Sequence, residues 1–307
     1  MAQRSKRTIT HRQHLHEKPP LDTSESGFAL MTTIWTVAII SAISLGILAL
    51  ARTYAVDVTL NERNARLEAA ADAGLFLTID ALMRDDARRS RSTVAADGSV
   101  QTSAFDGAVL HISVQDVGGR IDLNTARPEL LTALFEGLGA PTKTATRISD
   151  QILDWRDADH RPTGSGGEGT AYEAAGLDFG PKNAPFASLR EIAQIIDFEV
   201  RWLPALEELT TVHSGLAGID PGRASPTLLA LLGYSDTASL NELSEQGNRL
   251  FFTSSNGGAF IIRSQASLDR SVFMRQAVIR LNPTGAPPYD VLEWRRGRAI
   301  IMAEELQ

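Results

Sequence analysis

The chain of 307 residues contains no cysteine. Disulfide bonds, thiolate nucleophiles and thiolate metal sites are therefore excluded, and any metal ion must be bound by oxygen or imidazole. An excess of positive charge is also missing, because the formal net charge is −7. Affinity for a nucleic-acid backbone needs a basic face that displaces counterions, so this charge argues against a nucleic-acid partner. The apolar content of 43% is that of a chain with a buried core.

Sequence signatures of catalysis are lacking as well. Four of the six histidines lie at or before residue 111. His160 follows Asp159, but neither a nucleophile elbow nor a third partner accompanies this pair. Walker and dinucleotide-binding fingerprints do not occur. The sequence therefore predicts that the protein is not an enzyme.

Charged residues are absent from residues 28–51, which run FALMTTIWTVAIISAISLGILALA. A helix of this length measures about 36 Å, which is enough to cross a hydrocarbon core of about 30 Å. A buried core helix is the alternative, but such helices in soluble domains rarely continue this far without a charge. We therefore predict a single transmembrane anchor.

Basic residues precede this anchor, and their charge favours a cytoplasmic N-terminus with the remaining chain on the far side of the membrane. They are Arg4, Lys6, Arg7, Arg12 and Lys18. The apolar run is longer than that of an ordinary secretory signal, which is followed directly by its cleavage site. Processing is therefore expected ahead of the run, around Ser26-Gly27-Phe28.

The helix is predicted to continue beyond the anchor, over residues 52–88. This stretch contains no proline and a single glycine, Gly74. Apolar residues recur along it near every seventh position, which indicates an amphipathic helix. They are Leu60, Leu67, Leu75 and Leu82, with Ile79 and Met83 on an adjoining stripe. The stripe could pack on the protein's own sheet or on a partner, and the two uses can coexist.

Strand signals flank a long helical region. The alternation in Ala108–Val114 is typical of a half-buried strand. Ala259–Ser267 and Val272–Leu281 surround a short polar turn and predict a hairpin, and Tyr289–Trp294 predicts an edge strand. Residues 120–245 predict helices separated by Gly and Pro. The fold class is thus α+β: a long N-terminal helix on a small antiparallel sheet, interrupted by a large α-helical insertion.

The insertion contains an internal repeat. Residues 121–134 align without gaps on residues 219–232, with Ile, Asp, Ala, Pro and three Leu coinciding. Each copy predicts a turn, a helix N-cap at Thr125 or Ser225, and an early proline whose missing N–H is harmless there. We therefore predict two related helical repeats, similar to SAM or helix-hairpin-helix units.

Residues 154–168, DWRDADHRPTGSGGE, concentrate acidic residues and glycine. Calcium accepts six to eight oxygen ligands in flexible geometry, and such loops can supply them. The spacing is not that of an EF-hand. From the residues alone, a solvated acidic loop and a cation site both remain open.

The leader and anchor together resemble those of type IV pilins and pseudopilins. The resemblance implies that a prepilin peptidase cuts after Gly27 and methylates the new amine of Phe28. Most pilins carry Glu at the fifth mature position, where this sequence has Thr32. Within type II secretion, the K pseudopilin is the subunit that typically lacks this Glu, and the family places it at the filament tip.

Three further segments are similar to the K pseudopilin family, namely residues 119–126 (GRIDLNTA), 154–159 (DWRDAD) and 291–297 (VLEWRRG). The resemblance implies a minor pseudopilin that caps or nucleates the periplasmic pseudopilus during export of folded proteins. The implied partners are other minor pseudopilins and inner-membrane secretion components. The implied location is the bacterial inner membrane, with a single pass and a periplasmic C-terminal domain.

The resemblance also implies a calcium ion, because members of the family bind calcium in this region. The implied ligands are Asp154, Asp157, Asp159, Glu168 and Asn183. Relatives carry more acids directly after the position of Glu168, where this chain has Gly169 and Thr170. One ion rather than two is therefore expected.

Six segments follow from these observations. They are a cytoplasmic leader at 1–27, the anchor at 28–51, the continued helix at 52–88, the first part of the pseudopilin α+β domain at 89–119, the helical insertion at 120–245 and the C-terminal strands at 246–307.

A different function remains as the alternative. Ile121–Gly139 also resembles the helix-hairpin-helix of membrane-tethered competence receptors, which bind DNA phosphates through backbone amides and basic neighbours. Lys143 and Arg147 follow this segment, but acidic residues surround them. The fold can be shared without the DNA-binding function.

Overall fold

The computed structural model describes residues 23–88, 94–234, 251–255, 257–282 and 285–297. The helices are α1 (Thr23–Arg88), α2 (Pro128–Gly137), α3 (Thr142–Arg156), α4 (Gly169–Ala174), α5 (Leu203–Leu209) and α6 (Pro226–Leu231). The strands are β1 (Asp97–Phe105), β2 (Ala108–Asp116), β3 (Ile121–Asp122), β4 (Thr210–Thr211), β5 (Ala259–Leu268), β6 (Ser271–Leu281) and β7 (Tyr289–Arg296). Short 3-10 turns cover Val117–Gly119, Leu189–Gln194 and Val200–Trp202.

The chain divides into two compact units, residues 1–62 and residues 63–307. In the first unit, α1 begins at Thr23, so the last residues of the predicted leader are helical. Among the described residues, one helical segment, Phe28–Arg52, is long and apolar enough to cross a membrane. This segment agrees with the predicted anchor at 28–51. Residues 1–22 of the predicted leader lie outside the described part of the chain.

In the second unit, the apolar stripe of α1 packs on the protein's own sheet. Leu67, Leu75, Ile79 and Leu82 are buried among strand residues. The sequence left two possibilities for this stripe, packing on the protein's own sheet or on a partner. In this unit, these four residues pack on the sheet. Leu60 belongs to the other unit and is half exposed.

Gly74 lies at a close approach between α1 and the sheet. A Cβ atom at this position would collide with Oγ of Ser264 and would lie 3.3 Å from Cδ1 of Ile112. The single glycine of the continued helix is therefore explained by packing. Charged pairs fasten the same helix to β6, since Arg275 contacts both Glu68 and Asp72.

The sheet has the order β1-β2-β5-β6-β7, and every neighbouring pair is antiparallel. Four of its strands were predicted, and the turn between β5 and β6 consists of Asp269 and Arg270. Strand β1 was not predicted. All nine of its residues are exposed, so it lacks the apolar alternation that marks a half-buried strand.

The insertion between β2 and β5 has its own core. Buried residues of α2, α3 and α5, among them Leu134, Ile148 and Leu206, form one apolar cluster. Helices dominate as expected, but two short parallel strands, β3 and β4, were not foreseen. The predicted boundary at residue 245 falls outside the described residues.

Both copies of the sequence repeat form the same turn. In the first copy, the N–H of Ala126 donates to the carbonyl of Asp122 at 2.7 Å. In the second, the N–H of Ala224 donates to the carbonyl of Asp220 at 3.0 Å. Each copy then starts a helix with a proline in its first turn, as predicted.

The predicted helix caps are correct in only one copy. Ser225 is the N-cap of α6, and its Oγ accepts a hydrogen bond from the N–H of Leu228. The prediction for Thr125 is wrong, because the N-cap of α2 is Arg127. The Thr125 hydroxyl instead donates to the carbonyl of Leu216 at 2.7 Å, a contact 91 residues away in sequence.

Arg120, which follows the glycine that opens the GRIDLNTA segment, joins the insertion to the sheet. Its guanidinium donates to Oε1 of Gln115 on β2 and to the carbonyls of Glu207 and Thr210 at the end of α5. Burial, with repulsion from Arg263, lowers the pKa of Arg120 to about 9. Through Arg120, the GRIDLNTA segment therefore connects the helical insertion to the sheet.

Candidate metal centre

Three of the predicted ligands lie together after α3. One carboxylate oxygen from each of Asp157, Asp159 and Glu168 lies within 4.8 Å of the others. Asp157 ends α3, where its N–H donates to the carbonyl of Leu153. Glu168 occupies the position just before α4. The end of one helix and the start of the next thus bring together carboxylates that are eleven residues apart (157 to 168).

Four predicted ligands carry a buried oxygen that has no hydrogen-bond partner among the described residues. They are Asp154 Oδ2, Asp157 Oδ1, Glu168 Oε1 and Asn183 Oδ1. Buried polar atoms are nearly always hydrogen-bonded, and unsatisfied ones are costly. A group of such oxygens beside the three-carboxylate cluster is the donor set expected of a hard-cation site.

Asn183 is held so that only its amide oxygen remains available. Its backbone has a φ of +51°, in the left-handed region that asparagine tolerates better than most residues. Its Nδ2 donates to the carbonyl of Asp159 at 3.0 Å and lies 2.5 Å from Nδ1 of His160. The side chain therefore ties the segment after α3 to a second segment 24 residues further along.

The glycines of the loop make room for carboxylates of α3. A Cβ atom at Gly166 would collide with Oδ2 of Asp154, and one at Gly164 would collide with Oδ2 of Asp150. Gly164 also has a φ of +52°. The other oxygen of Asp154 accepts a hydrogen bond from the N–H of Thr163 at 2.8 Å. The loop is therefore folded around the last two turns of the helix.

Electrostatics in this region disfavour the ionised carboxylates. Burial raises the pKa of Asp154, and the charge of Asp157 adds to this effect. Burial also raises the pKa of Glu168, with further contributions from Asp154 and Asp157. A cation bound among these groups would reverse both effects, because an opposite charge stabilises the ionised form.

Two residues near the cluster were not predicted from the sequence. Tyr172 is fully buried and its hydroxyl has no partner among the described residues. Burial and the charges of Asp154 and Glu168 raise its pKa. Asp150 accepts a hydrogen bond from the N–H of Ser165 at 2.7 Å. Its spacing of four residues from Asp154 places both on one face of α3, a signal that could have identified it.

The predicted processing residues lie in the first turns of α1. Phe28 is exposed, and Thr32 donates its hydroxyl to the carbonyl of Ala29 at 2.9 Å. The hydroxyl is therefore satisfied within the helix and needs no polar neighbour in an apolar surrounding.

The basic residues required by the DNA-binding alternative are not both available. Arg147 pairs with Asp197, at 2.6 Å from Nε to Oδ2 and 3.0 Å from Nη2 to Oδ1. Lys143 remains exposed near the start of α3. One of the two cations that follow the hairpin is thus already neutralised within the fold.

Comparison with known proteins bears on the identity of the domain. Residues 112–215 match the family described as type II secretion system (T2SS), protein K. A chain of the GspK-GspI-GspJ complex from the enterotoxigenic Escherichia coli type 2 secretion system superimposes with a TM-score of 0.56. It is 15% identical in sequence, and the match covers 77% of this chain and 100% of that chain. No curated protein matches the sequence.

These findings confirm the resemblance to the minor pseudopilin K of type II secretion. The family match includes all five predicted metal ligands and the first copy of the repeat. The structural match shows the fold, an α+β arrangement with an N-terminal apolar helix, an antiparallel sheet and further helices. Residues 112–215 thus resemble protein K of type II secretion, and the fold is similar to that of the solved chain.

Proposed function

We propose that this protein is a minor pseudopilin that caps or nucleates the periplasmic pseudopilus of a type II secretion system that exports folded proteins. The family match over residues 112–215 is the observation that carries the proposal. The similar solved chain comes from a complex of GspK, GspI and GspJ, which supports other minor pseudopilins as partners. Inner-membrane secretion components would be further partners.

The proposed location is the bacterial inner membrane. Phe28–Arg52 would form the single span, and the basic residues ahead of it would hold the N-terminus in the cytoplasm. The domain after the span would then lie in the periplasm. A prepilin peptidase would remove the leader after Gly27 and methylate Phe28.

A place at the filament tip is supported by Thr32. A pilin with Glu at this position can neutralise the buried amine of a neighbouring subunit, whereas a hydroxyl cannot. An unpaired buried charge is costly. A subunit without the carboxylate therefore fits best where no further subunit presents an amine to it.

The centre after α3 is proposed to bind one calcium ion. The residues fit this ion because the donor set consists of oxygen atoms, four of them buried and unpartnered in the described chain. Asp154, Asp157, Asp159, Glu168 and Asn183 would hold the ion. When bound, it would neutralise the crowded carboxylates, and its role would be structural rather than catalytic.

The two turns with equivalent hydrogen bonds support the proposal that the insertion contains two related helical repeats. Each has Ile and Asp, then the turn, then a helix with proline in its first turn. The second copy retains the fold of the turn while its surroundings differ.

Affinity capture tests the secretory function directly. The tagged full-length chain would be recovered from membranes of cells that carry the secretion system, and its partners identified by mass spectrometry. We expect other minor pseudopilins and inner-membrane secretion components, relative to an unrelated tagged single-pass protein. Enrichment of DNA-uptake proteins, together with salt-sensitive retention of DNA, would overturn the proposal in favour of the competence-type alternative.

A further inference from the structure

We propose that Asn124 is a positioning residue for the metal centre. This inference rests on the proposed calcium site and assigns a physical role to the turn Asp122–Ala126. The turn precedes α2 and supplies none of the proposed ligands, yet it contacts two of the segments that do.

Asn124 clamps the segment that follows Asn183. Its Nδ2 donates to the carbonyl of Phe186 at 3.0 Å, and its Oδ1 accepts from the N–H of Phe186 at 2.7 Å. Nδ2 also donates to the carbonyl of Val212 at 3.3 Å. Both ends of the amide are therefore committed to the backbone of a residue 62 positions away. Phe186 lies three residues after Asn183, so the clamp limits where the Asn183 amide oxygen can lie.

The clamped segment is also attached to the end of α3. The N–H of Ala184 donates to the carbonyl of Trp155 at 3.2 Å, and the rings of Phe186 and Trp155 stack with centroids 5.8 Å apart. Trp155 directly follows Asp154. The backbone that carries Asn183 is thus fixed against the backbone that carries the first aspartate.

The same turn holds α3 itself. Arg156 donates from Nη1 to the carbonyl of Leu123 at 2.7 Å and from Nη2 to the carbonyl of Ala126 at 2.8 Å. Arg156 is adjacent to Asp157. The turn therefore contacts the helix end that carries Asp154 and Asp157 and, through Asn124, the segment that carries Asn183.

The second copy of the repeat shows that the turn does not itself require asparagine. Gly222 occupies the position equivalent to Asn124, and its N–H donates to Oδ1 of Asp220 at 3.0 Å. The N–H of Asn124 makes the same bond to Oδ1 of Asp122 at 2.8 Å. The backbone of the turn therefore forms with or without an asparagine side chain. The side-chain amide of Asn124 is not needed for the turn, so its role is to hold the segment that contains Phe186.

Calcium titration by calorimetry on the full-length chain in detergent tests this assignment. The variants are Asn124→Ala, Asn183→Ala and the double variant, with Thr125→Ala as the matched control in the same turn. Loss of a residue that orients metal ligands costs roughly 10- to 100-fold in affinity, and we expect Asn124→Ala to fall in this range. Thr125→Ala should stay within about twofold of the parent, because its hydroxyl contacts Leu216 instead.

The double variant separates positioning from a general structural effect. If Asn124 acts through Asn183, adding Asn124→Ala to Asn183→Ala should weaken binding by less than about twofold more. Fully multiplicative losses would overturn the assignment. Equal affinity of the parent and Asn124→Ala would overturn it as well, whereas a parent that binds no calcium would overturn the proposed metal centre first. Asn124→Ser replaces the alanine variant in the same measurements if that variant does not fold.

Discussion

Gly74 of α1 lies against Ser264 of β5, so closely that the smallest side chain at Gly74 would collide with the serine hydroxyl. The Ser264 hydroxyl is buried and has no partner among the described residues. The contact between these two residues sets how closely the helix approaches the sheet, and it allows Leu75 and Ile79 to reach Ile262 and Ala277 in one core.

Gly74→Val should destabilise the domain by about 1–3 kcal/mol, the usual cost of an overpacked core. Denaturant unfolding of the full-length chain in detergent measures this change. Ser264→Ala should recover part of the loss, because it removes the nearest colliding atom. Ala69→Val, an exposed position on the same helix, is the control and should change stability little. Equal effects at the two helix positions would contradict the packing argument.

Processing at the leader can be tested by coexpression with a prepilin peptidase. The chain should shorten by 27 residues and begin at an N-methylated Phe28, as measured by intact-protein mass spectrometry. Gly27→Ala should slow cleavage and Gly27→Leu should block it, because each adds side-chain bulk directly before the proposed cleavage site. A mature chain that begins after about residue 50 would show that the segment is an ordinary cleaved signal.

Thr32→Glu should not improve secretion or assembly if the subunit occupies a tip. The new carboxylate would have no neighbouring amine to neutralise, and it would stand unpaired in an apolar helix at some cost. Secretion of a reporter substrate in a strain lacking the native chain gives the readout, and Thr33→Glu controls for a charge placed one residue away. Clearly better assembly of the Thr32 variant alone would indicate a position within the shaft.

Calcium should raise the melting temperature of the full-length chain by several degrees relative to chelator. Binding to the folded state alone contributes about 2.7 kcal/mol when free calcium is about a hundred times its Kd. Magnesium should do less because it resists dehydration. Asp157→Asn with Asp159→Asn should shrink the gap, whereas Glu173→Gln with Asp178→Asn, at exposed acids nearby, should preserve it. Equal melting temperatures in millimolar calcium and in chelator would remove the metal centre.

His213 should make stability depend on pH below neutrality. Burial lowers its pKa, Arg280 acts in the same direction, and Glu293 and Asp122 act in the opposite one. A group with a lowered pKa in the folded state contributes stability above its ordinary pKa of about 6.5 that is lost as the pH falls. His213→Gln should therefore lose less stability than the parent between pH 7.5 and 5.5, measured by urea unfolding. Parallel curves would contradict this assignment.

The sequence predicts those parts of the fold that leave a periodic or compositional pattern. The anchor is visible because residues 28–51 contain no charge, and β2 is visible because its apolar residues alternate along the sequence. Strands β5 and β6 are visible because two apolar-rich runs surround a short polar turn. Strand β1 has no buried face and no such pattern. It pairs with β2 across the two-residue turn Asp106-Gly107, so its signal lies in the turn residues and not in apolar alternation.

The candidate metal centre was predictable only in part, because some of its residues come together only in the folded chain. Asp157, Asp159 and Glu168 stand close in sequence, and a local motif marks them. Asn183 was implied by family resemblance alone, since it joins the cluster through tertiary contacts. Thr125 was predicted to cap α2 because threonine is a good local capping residue. Its hydroxyl instead donates to the carbonyl of Leu216, which is distant in sequence. Thr125 and Asn183 were harder to place because their partners lie far along the chain, whereas Asp150 has a local signal in its spacing from Asp154.

The stretch Gly164-Ser165-Gly166-Gly167 has the composition of a flexible linker. At Gly164 and Gly166, however, carboxylates of α3 occupy the space that a side chain would need. The glycines are therefore explained by close packing against α3 and not by a need for a mobile loop. Its composition alone would suggest this segment as a site for shortening, stiffening or tagging a loop. Insertion there should be poorly tolerated, because the space around its glycines is already filled. Display of a peptide or a fluorophore belongs instead at an open turn such as Asp106-Gly107, where a Cβ atom on the glycine would meet nothing within 4 Å.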